Sequence, residues 1–244
     1  MNLLESLLTG LEEASRHWGQ TVLALLGIVL GTGSIVTVLA LFGGQAANTQ
    51  KYLDEVGGVG TLSVSNRDMA MSPTARQLAS DRLTYRDAVL LKQRAGMLRA
   101  VSPVWSSSLV YRVGARSFRG QVIGSVPDLT AIDDIRPLVG RGLSDLDVAR
   151  RSRVIVLGWK YADSLFGGAR NALGKRVALS SRQYTVVGVL EREEFYFASW
   201  ERNALEYRNE RGYVPITTAF SDYTSQDRLS SLTVKALPDQ AASA

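Results

Sequence analysis

The 244-residue chain has no cysteine and a single histidine. Without cysteine there is no disulfide framework, no thiolate metal site and no cysteine nucleophile. The lone histidine, His17, rules out a multi-histidine zinc site and leaves little scope for a histidine-centred relay. A third scarcity is local. The chain is 21% charged and 45% apolar, the average of a soluble globular protein, yet Trp18 to Gln50 contains no charged residue at all.

Inside that gap, Thr21 to Phe42 is a 22-residue run of Leu, Val, Ile, Ala and Gly with a few Thr and one Ser. As a helix it extends roughly 33 Å, the thickness of a bilayer's hydrocarbon core. Its hydroxyls can bond back to helix carbonyls and so cost little in lipid. A cleaved signal peptide needs a basic start and a shorter apolar run. Here the start carries Glu5, Glu12 and Glu13 against Arg16, although Ala46 after Gly44 has the small side chains of a cleavage site. The favoured reading is a retained transmembrane helix over 19–44. Before it, Leu3, Leu4, Leu7, Leu8 and Leu11 recur at helical spacing, which predicts an amphipathic interfacial helix over 1–18 with Trp18 near the headgroups. The lipid bilayer is therefore an expected partner. Arg16 on one flank and Lys51 on the other nearly cancel, so charge does not orient the span.

Residues 51–244 carry 27 of the 28 basic and 20 of the 23 acidic groups, a net +7. The excess is scattered, with no basic stripe or regular aromatic platform, so nucleic acid is not an expected partner. A membrane-exit helix and linker are expected over 45–60, a folded domain over 61–237 and a small tail over 238–244. Lys51 to Val56 continues the helix, the glycines at 57, 58 and 60 break it, and Thr61 to Val64 reads as a strand. Asn66 to Ser80 reads as a polar loop. Thr84 and Asp87 form a capping-box pattern that opens a helix running to Ala95, with Gly96 as its stop. Val101-Ser102-Pro103 is extended, and Ser108–Val113 and Ser117–Ile123 flank a hairpin turn. Val154–Leu157 is a strand, Trp159–Phe166 a helix ended by Gly167-Gly168, and Val177–Leu179 and Tyr184–Leu190 a strand pair. Tyr213–Ile216 and Leu232–Ala236 are the last strands. Strands joined by hairpins with few helices imply an α+β, two-lobed domain rather than a doubly wound parallel sheet.

Candidate chemistry fails on inspection. Gly174-Lys175 lacks the earlier glycine and the following Ser or Thr of a phosphate-binding loop. Asp133-Asp134 and Asp145/Asp147 read as solvated turn acids, without a second cluster to complete glycosidase or metal chemistry. No nucleophile–base pair can be named, so a catalytic role is not expected, and neither a cofactor nor a metal is implied. Glu191, Glu193 and Glu194 precede Phe195, Tyr196, Phe197 and Trp200. That stretch is either a partner-recognition loop or a loop packing on its own lobe.

Several segments, taken in order, resemble the MacB-like and FtsX-like ABC transporter permeases. The run Leu26-Gly27-Ile28-Val29-Leu30-Gly31 through Ser34-Ile35-Val36 is similar to their first transmembrane helix. Leu83-Thr84-Tyr85-Arg86-Asp87 leading to Val101-Ser102-Pro103 is similar to the start of their periplasmic core domain. Gly140-Arg141-Gly142-Leu143 and Val154-Ile155-Val156-Leu157-Gly158 resemble its middle. Leu165-Phe166-Gly167, Leu173-Gly174-Lys175-Arg176-Val177 and Tyr184-Thr185-Val186-Val187-Gly188-Val189 carry the most specific likeness. Val214-Pro215-Ile216-Thr217-Thr218-Ala219 and Ser231-Leu232-Thr233-Val234 complete it. Gly27, Gly31 and Ser34 supply a small-residue face on which another helix can pack.

The resemblance implies an inner-membrane location with the domain after residue 51 in the periplasm. It also implies an ABC-type ATPase subunit and further permease helices or subunits as partners, with a periplasmic protein partner also in view. Relatives continue into three more membrane helices and add a last helix and strand to one lobe. The expectation is therefore a truncated or split permease taking part in export or mechanotransmission, itself non-catalytic. The alternative is a single-span, membrane-tethered periplasmic binding or adaptor module with no transport role.

Overall fold

The computed structural model describes residues 16, 18–56, 58, 60–65, 83–94, 98–133, 135–198, 201–224 and 226–236. The expected interfacial helix, apart from Arg16 and Trp18, the loop at 66–80, Gly96, Asp134, Trp200 and the tail at 238–244 lie outside the described residues. The chain divides into two compact units, Met1–Lys51 and Tyr52–Ala244.

The first unit is built on helix α1, Trp18–Glu55, which runs 38 residues without a break at Gly43-Gly44. Among the described residues it is the one helix long and apolar enough to cross a membrane. Thr32 Oγ1 donates to the Ile28 carbonyl and Thr37 Oγ1 to the Gly33 carbonyl, both at 2.7 Å. The hydroxyls are thus satisfied within the helix, which lets them sit in an apolar run. The last turn of α1, Tyr52–Glu55, belongs to the second unit.

The second unit is α+β and has two lobes sharing one strand. β1 (Thr61–Ser65), α2 (Tyr85–Arg94) and β2 (Leu98–Val113) form the first lobe with the last strand, β9 (Ser231–Ala236). The sheet order is β1–β9–β2, both pairings antiparallel, so β9 lies between two strands joined by α2. The box that opens α2 is formed: Thr84 N donates to Asp87 Oδ2 at 2.8 Å and Asp87 N to Thr84 Oγ1 at 3.4 Å. The two extended segments around Pro103 and Ser108 are one 16-residue strand. Its first half pairs with β9 and its second half with the other lobe.

The other lobe is a closed barrel. β3 (Arg116–Ser125), β5 (Val154–Leu157), β6 (Arg176–Leu179), β7 (Arg182–Leu190) and β8 (Arg211–Pro215) complete it with β2. Round the ring the order is β2–β3–β8–β5–β7–β6 and back to β2. The β3–β8 and β5–β7 pairs are parallel. β4 (Pro137–Gly140) adds to the far end of β7, beyond β6. Closure removes the free edges of these six strands. Alternation along the strands separates two cores. Val122, Ile155, Leu157 and Val214 belong to the main core, while their neighbours Ile123, Val156 and Tyr213 face a smaller one. Tyr111, Val177, Leu179, Tyr184 and Val186 are fully buried in the main core, which continues to Val101, Leu232 and Val234 of the first lobe.

Helices α3 (Asp128–Ile132), α4 (Asp145–Ala149), α5 (Trp159–Phe166), α6 (Ala169–Ala172), α7 (Glu206–Asn209) and α8 (Ile216–Tyr223) fill the connections. Two expectations are corrected here. The strand at Tyr213 ends at Pro215, and Ile216 opens α8. Ile216, Ala219, Phe220 and Tyr223 recur at helical spacing and pack on the main core. The Ile-Thr-Thr start favours strand locally, and burial overrides it. Asp147 is not a solvated turn acid. It is buried, and it forms a second capping box with Ser144 at the head of α4. Arg141 Nη1 and Nη2 clasp its oxygens at 2.6 and 3.1 Å and, first among the causes, hold its pKa below the ordinary carboxylate value. Asp145 remains exposed.

Candidate coupling site

A network of charged side chains surrounds Arg208. α7 is a single turn, and Arg208 and Asn209 on it are 5% and 2% exposed. Arg208 Nη1 donates to Glu193 Oε2 at 2.6 Å and to the main-chain carbonyl of Glu55 at 3.2 Å. Its Nη2 lies 3.5 Å from Asp133 Oδ1. One guanidinium thus joins the last residue of α1, the segment after β7 and the end of α3. Arg is suited to this because its planar fork reaches several acceptors at once and stays charged when buried.

Two asparagines hold the Glu193 segment in place without a strand. Asn209 Oδ1 accepts from Glu193 N at 2.9 Å, and Asn209 Nδ2 and Asn203 Nδ2 each donate to the Glu193 carbonyl at 2.7 Å. Asn203 Oδ1 accepts from Phe195 N at 2.8 Å. The chain then delivers Phe195 and Phe197 to Tyr52, at ring-centroid separations of 5.4 and 5.2 Å. The two phenylalanines meet edge to face at 5.2 Å. Aromatic trios of this geometry gain stabilisation beyond buried area alone.

Burial pushes the carboxyls of Glu193 and Asp133 above their ordinary pKa values, with Arg208 opposing the shift in both. Burial works against the Arg208 charge as well, but the two carboxylates hold its pKa above the usual arginine value. Beside this network opens an acid-rich groove of about 540 Å³ lined by Asp54, Glu55, Glu191 and Glu194 among others. Among the described residues no group of three His, Cys, Asp or Glu is placed to hold a metal ion.

Of the aromatic stretch expected to serve as a loop, Phe195 and Phe197 pack on Tyr52 of the same unit, and Tyr196 is 44% exposed. Gly27, Gly31 and Ser34 lie on the exposed surface of α1, and apart from the adjoining helix backbone no described atom stands within 4 Å of where a Cβ on either glycine would sit. Arg208, Asn203 and Asn209 escaped the sequence reading. Arg208 contacts residues 15 and 153 positions away, a separation with no local signature.

Residues 21–244 match the family model described as the MacB-like periplasmic core domain. The chain belongs to this family. It is 28% identical over 240 residues to the macrolide export ATP-binding/permease protein MacB of Aggregatibacter actinomycetemcomitans, covering 97% of this chain and 35% of that protein. The MacB of Hyphomonas neptunium is 30% identical over 215 residues, with 88% and 32% covered. The chain therefore spans about a third of the length of these curated relatives. The crystal structure of the periplasmic region of MacB from Actinobacillus actinomycetemcomitans superposes with a TM-score of 0.60 at 24% identity, over 77% of this chain and 78% of that one. The extracellular domain of the noncanonic ABC-type transporter YknZ from Gram-positive bacteria gives 0.59 at 21% identity, over 75% and 87%. Both show the fold.

The MacB-like domain is the periplasmic part of a transporter permease rather than a catalytic domain. Helix α1 is consistent with an inner-membrane anchor for it. The family-like segment at Gly140–Leu143 has a structural explanation. Gly140 adopts a left-handed φ of 77°, and a Cβ there would collide with the Val187 carbonyl. Arg141 is thereby aimed at Asp147.

Proposed function

We propose that the chain is the membrane-anchored periplasmic core part of a MacB/FtsX-like ABC transporter permease. In this reading it works with an ABC-type ATPase and further permease helices in transmembrane export or mechanotransmission, and it is itself non-catalytic. In the same reading α1 anchors it in the inner membrane, with the domain after residue 51 in the periplasm. Domain limits follow the sequence reading: an interfacial helix over 1–18, the span over 19–44, its exit over 45–60, the core domain over 61–237 and a tail over 238–244. Gly27, Gly31 and Ser34 form the face on which other permease helices pack.

The observation that carries the proposal is the Arg208 clasp on the Glu55 carbonyl, in a chain of this family. A buried guanidinium bonded to the Glu55 carbonyl, with an aromatic trio on Tyr52, supports a head that holds its own entry segment, residues 52–55, in place. A freely hinged tether needs neither.

The test uses the full chain in its own membranes. After mild detergent extraction, an ATPase with an ABC signature or a multi-span permease should co-purify, and Arg208→Met should lower that chain's function without releasing the partner. Recovery of neither partner type, or release of the chain by a carbonate wash, would overturn the proposal.

A further inference from the structure

At one end of the barrel, where β2 stops, α5 ends and β6 begins, lies an open groove of about 660 Å³. Arg170, Lys175 and Arg176 line it around an apolar floor of Val113, Phe166 and Leu173, and no acid is among the lining residues. Several cations elsewhere on the domain are paired. Arg141, Arg153, Lys160, Arg192 and Arg208 each hold a carboxylate within 4 Å. Among the described residues the three groove cations have no such ion pair.

The negative end of α5 does not offset them. Its last carbonyls are taken up by Arg116, which donates to Ser164 and Leu165 at 3.4 and 3.2 Å, and by Asn171, which donates to Phe166 at 3.4 Å. Nor are the cations on a loose loop. Gly174 N donates to Val186 O at 2.8 Å, Lys175 N to Ala172 O at 3.0 Å, and Val186 N to Lys175 O at 2.9 Å. The backbone that carries Lys175 is thus fixed, and Leu173, 41% exposed, lines the groove with the three cations. A groove lined by three cations and no acid is complemented by carboxylates.

We propose that this groove docks an acidic segment of a periplasmic protein partner. Its carboxylates face Arg170, Lys175 and Arg176, and an apolar side chain seats on Leu173, Phe166 and Val113. The volume suits one or two side chains of a polypeptide.

The test uses the full chain in neutral-lipid nanodiscs and a fluorescent 12-residue peptide of alternating Glu and Leu. Binding is expected to weaken at least tenfold in R170E/K175E/R176E and severalfold in the neutral triple R170Q/K175Q/R176Q. It should fall as salt rises from 50 to 300 mM. Leu173→Ser should weaken the Glu/Leu peptide severalfold and leave a Glu/Ser peptide unaffected. A control reversal on α2, R86E/R94E, should leave binding within twofold. Equal binding by the triple and control variants, or no binding by the wild type, would overturn the proposal. So would preferential binding of phosphatidylglycerol vesicles, because the ligand would then be lipid.

Discussion

Gly212 sits in β8 where the barrel has no room for a side chain. A Cβ there would collide with the Tyr111 hydroxyl and come within 2.9 Å of Ile155 Cδ1. Tyr111 is fully buried, and its hydroxyl donates to the Gln121 carbonyl at 2.8 Å, so it cannot withdraw without loss. Gly212→Ala should therefore destabilise the domain by about 1–3 kcal/mol, the range of overpacked cores. Chemical denaturation measures this. The loss should be smaller when Tyr111 is first changed to Phe, because one of the colliding atoms is gone. Strict additivity of the two changes would contradict the packing argument. Asp222, with its side chain 1% exposed, is a second such residue. Arg153 grips both its oxygens at 2.8 and 2.7 Å, and the Tyr184 hydroxyl donates to it at 2.9 Å. These bonds, Arg153's first, lower its pKa. The stabilisation from Asp222 is thus present above the unfolded carboxylate pKa of about 3.9 and is lost as pH falls through the lowered folded value. Asp222→Asn should cost about 1.5–3 kcal/mol at pH 7. The gap to wild type should narrow below pH 4; a gap independent of pH would refute the assignment.

At the scale of elements, the joint between the end of α1, α3 and α7 depends on one cation serving two carboxylates. Removing the cation and removing a carboxylate should then have unequal effects. Arg208→Met leaves the half-buried Glu193 and Asp133 without their shared counter-ion, and should cost up to about 3–5 kcal/mol at neutral pH. Glu193→Gln keeps the shape and removes an ion that burial already disfavours, so it should cost less. Both carboxyls have raised pKa values, burial being the first cause, so in the Arg208→Met variant they take up protons on acidification before an ordinary carboxylate does. Its stability should recover with that uptake, as thermal melts would show; a deficit that grows on acidification would exclude the scheme. Elements whose signal is local were legible in the sequence. Val154–Leu157 and Trp159–Phe166 are found with the expected limits, and the Thr84–Asp87 box opens its helix. The same Ser/Thr-x-x-Asp pattern at Ser144 and Asp147 was passed over because the surrounding residues read as turn. Barrel closure was not legible, since β2 meets β6 at Tyr111 and Leu179, and nothing in either strand names its partner. The Arg208 network was hidden for the same reason: each member looks like an ordinary surface charge until the fold brings them together.

For the whole molecule, the shared strand β2 makes the two lobes one mechanical body. Its first half is a sheet strand of the first lobe and its second half a stave of the barrel, and one hydrophobic core runs through both. Such a body moves as a unit, so any use of that motion by a permease requires that α1 be gripped by other helices in the bilayer. Apolar area cannot provide the grip, because lipid tails compete equally for Leu and Val; close backbone approach at small residues can. Gly27 and Gly31 are four residues apart on α1 and leave open space around their Cα atoms. Replacing both with Leu keeps the helix apolar and leaves residues 52–244 untouched, but it fills that strip. The expected result is loss of co-purification with permease helices, corresponding to a weakening of about 1–2 kcal/mol. The melting temperature of the head should not change, because no residue of its core is altered. If the double variant retains its partners as well as the wild type does, the packing face lies elsewhere on α1. A head whose stability falls alongside would mean that the glycines act through folding rather than through association.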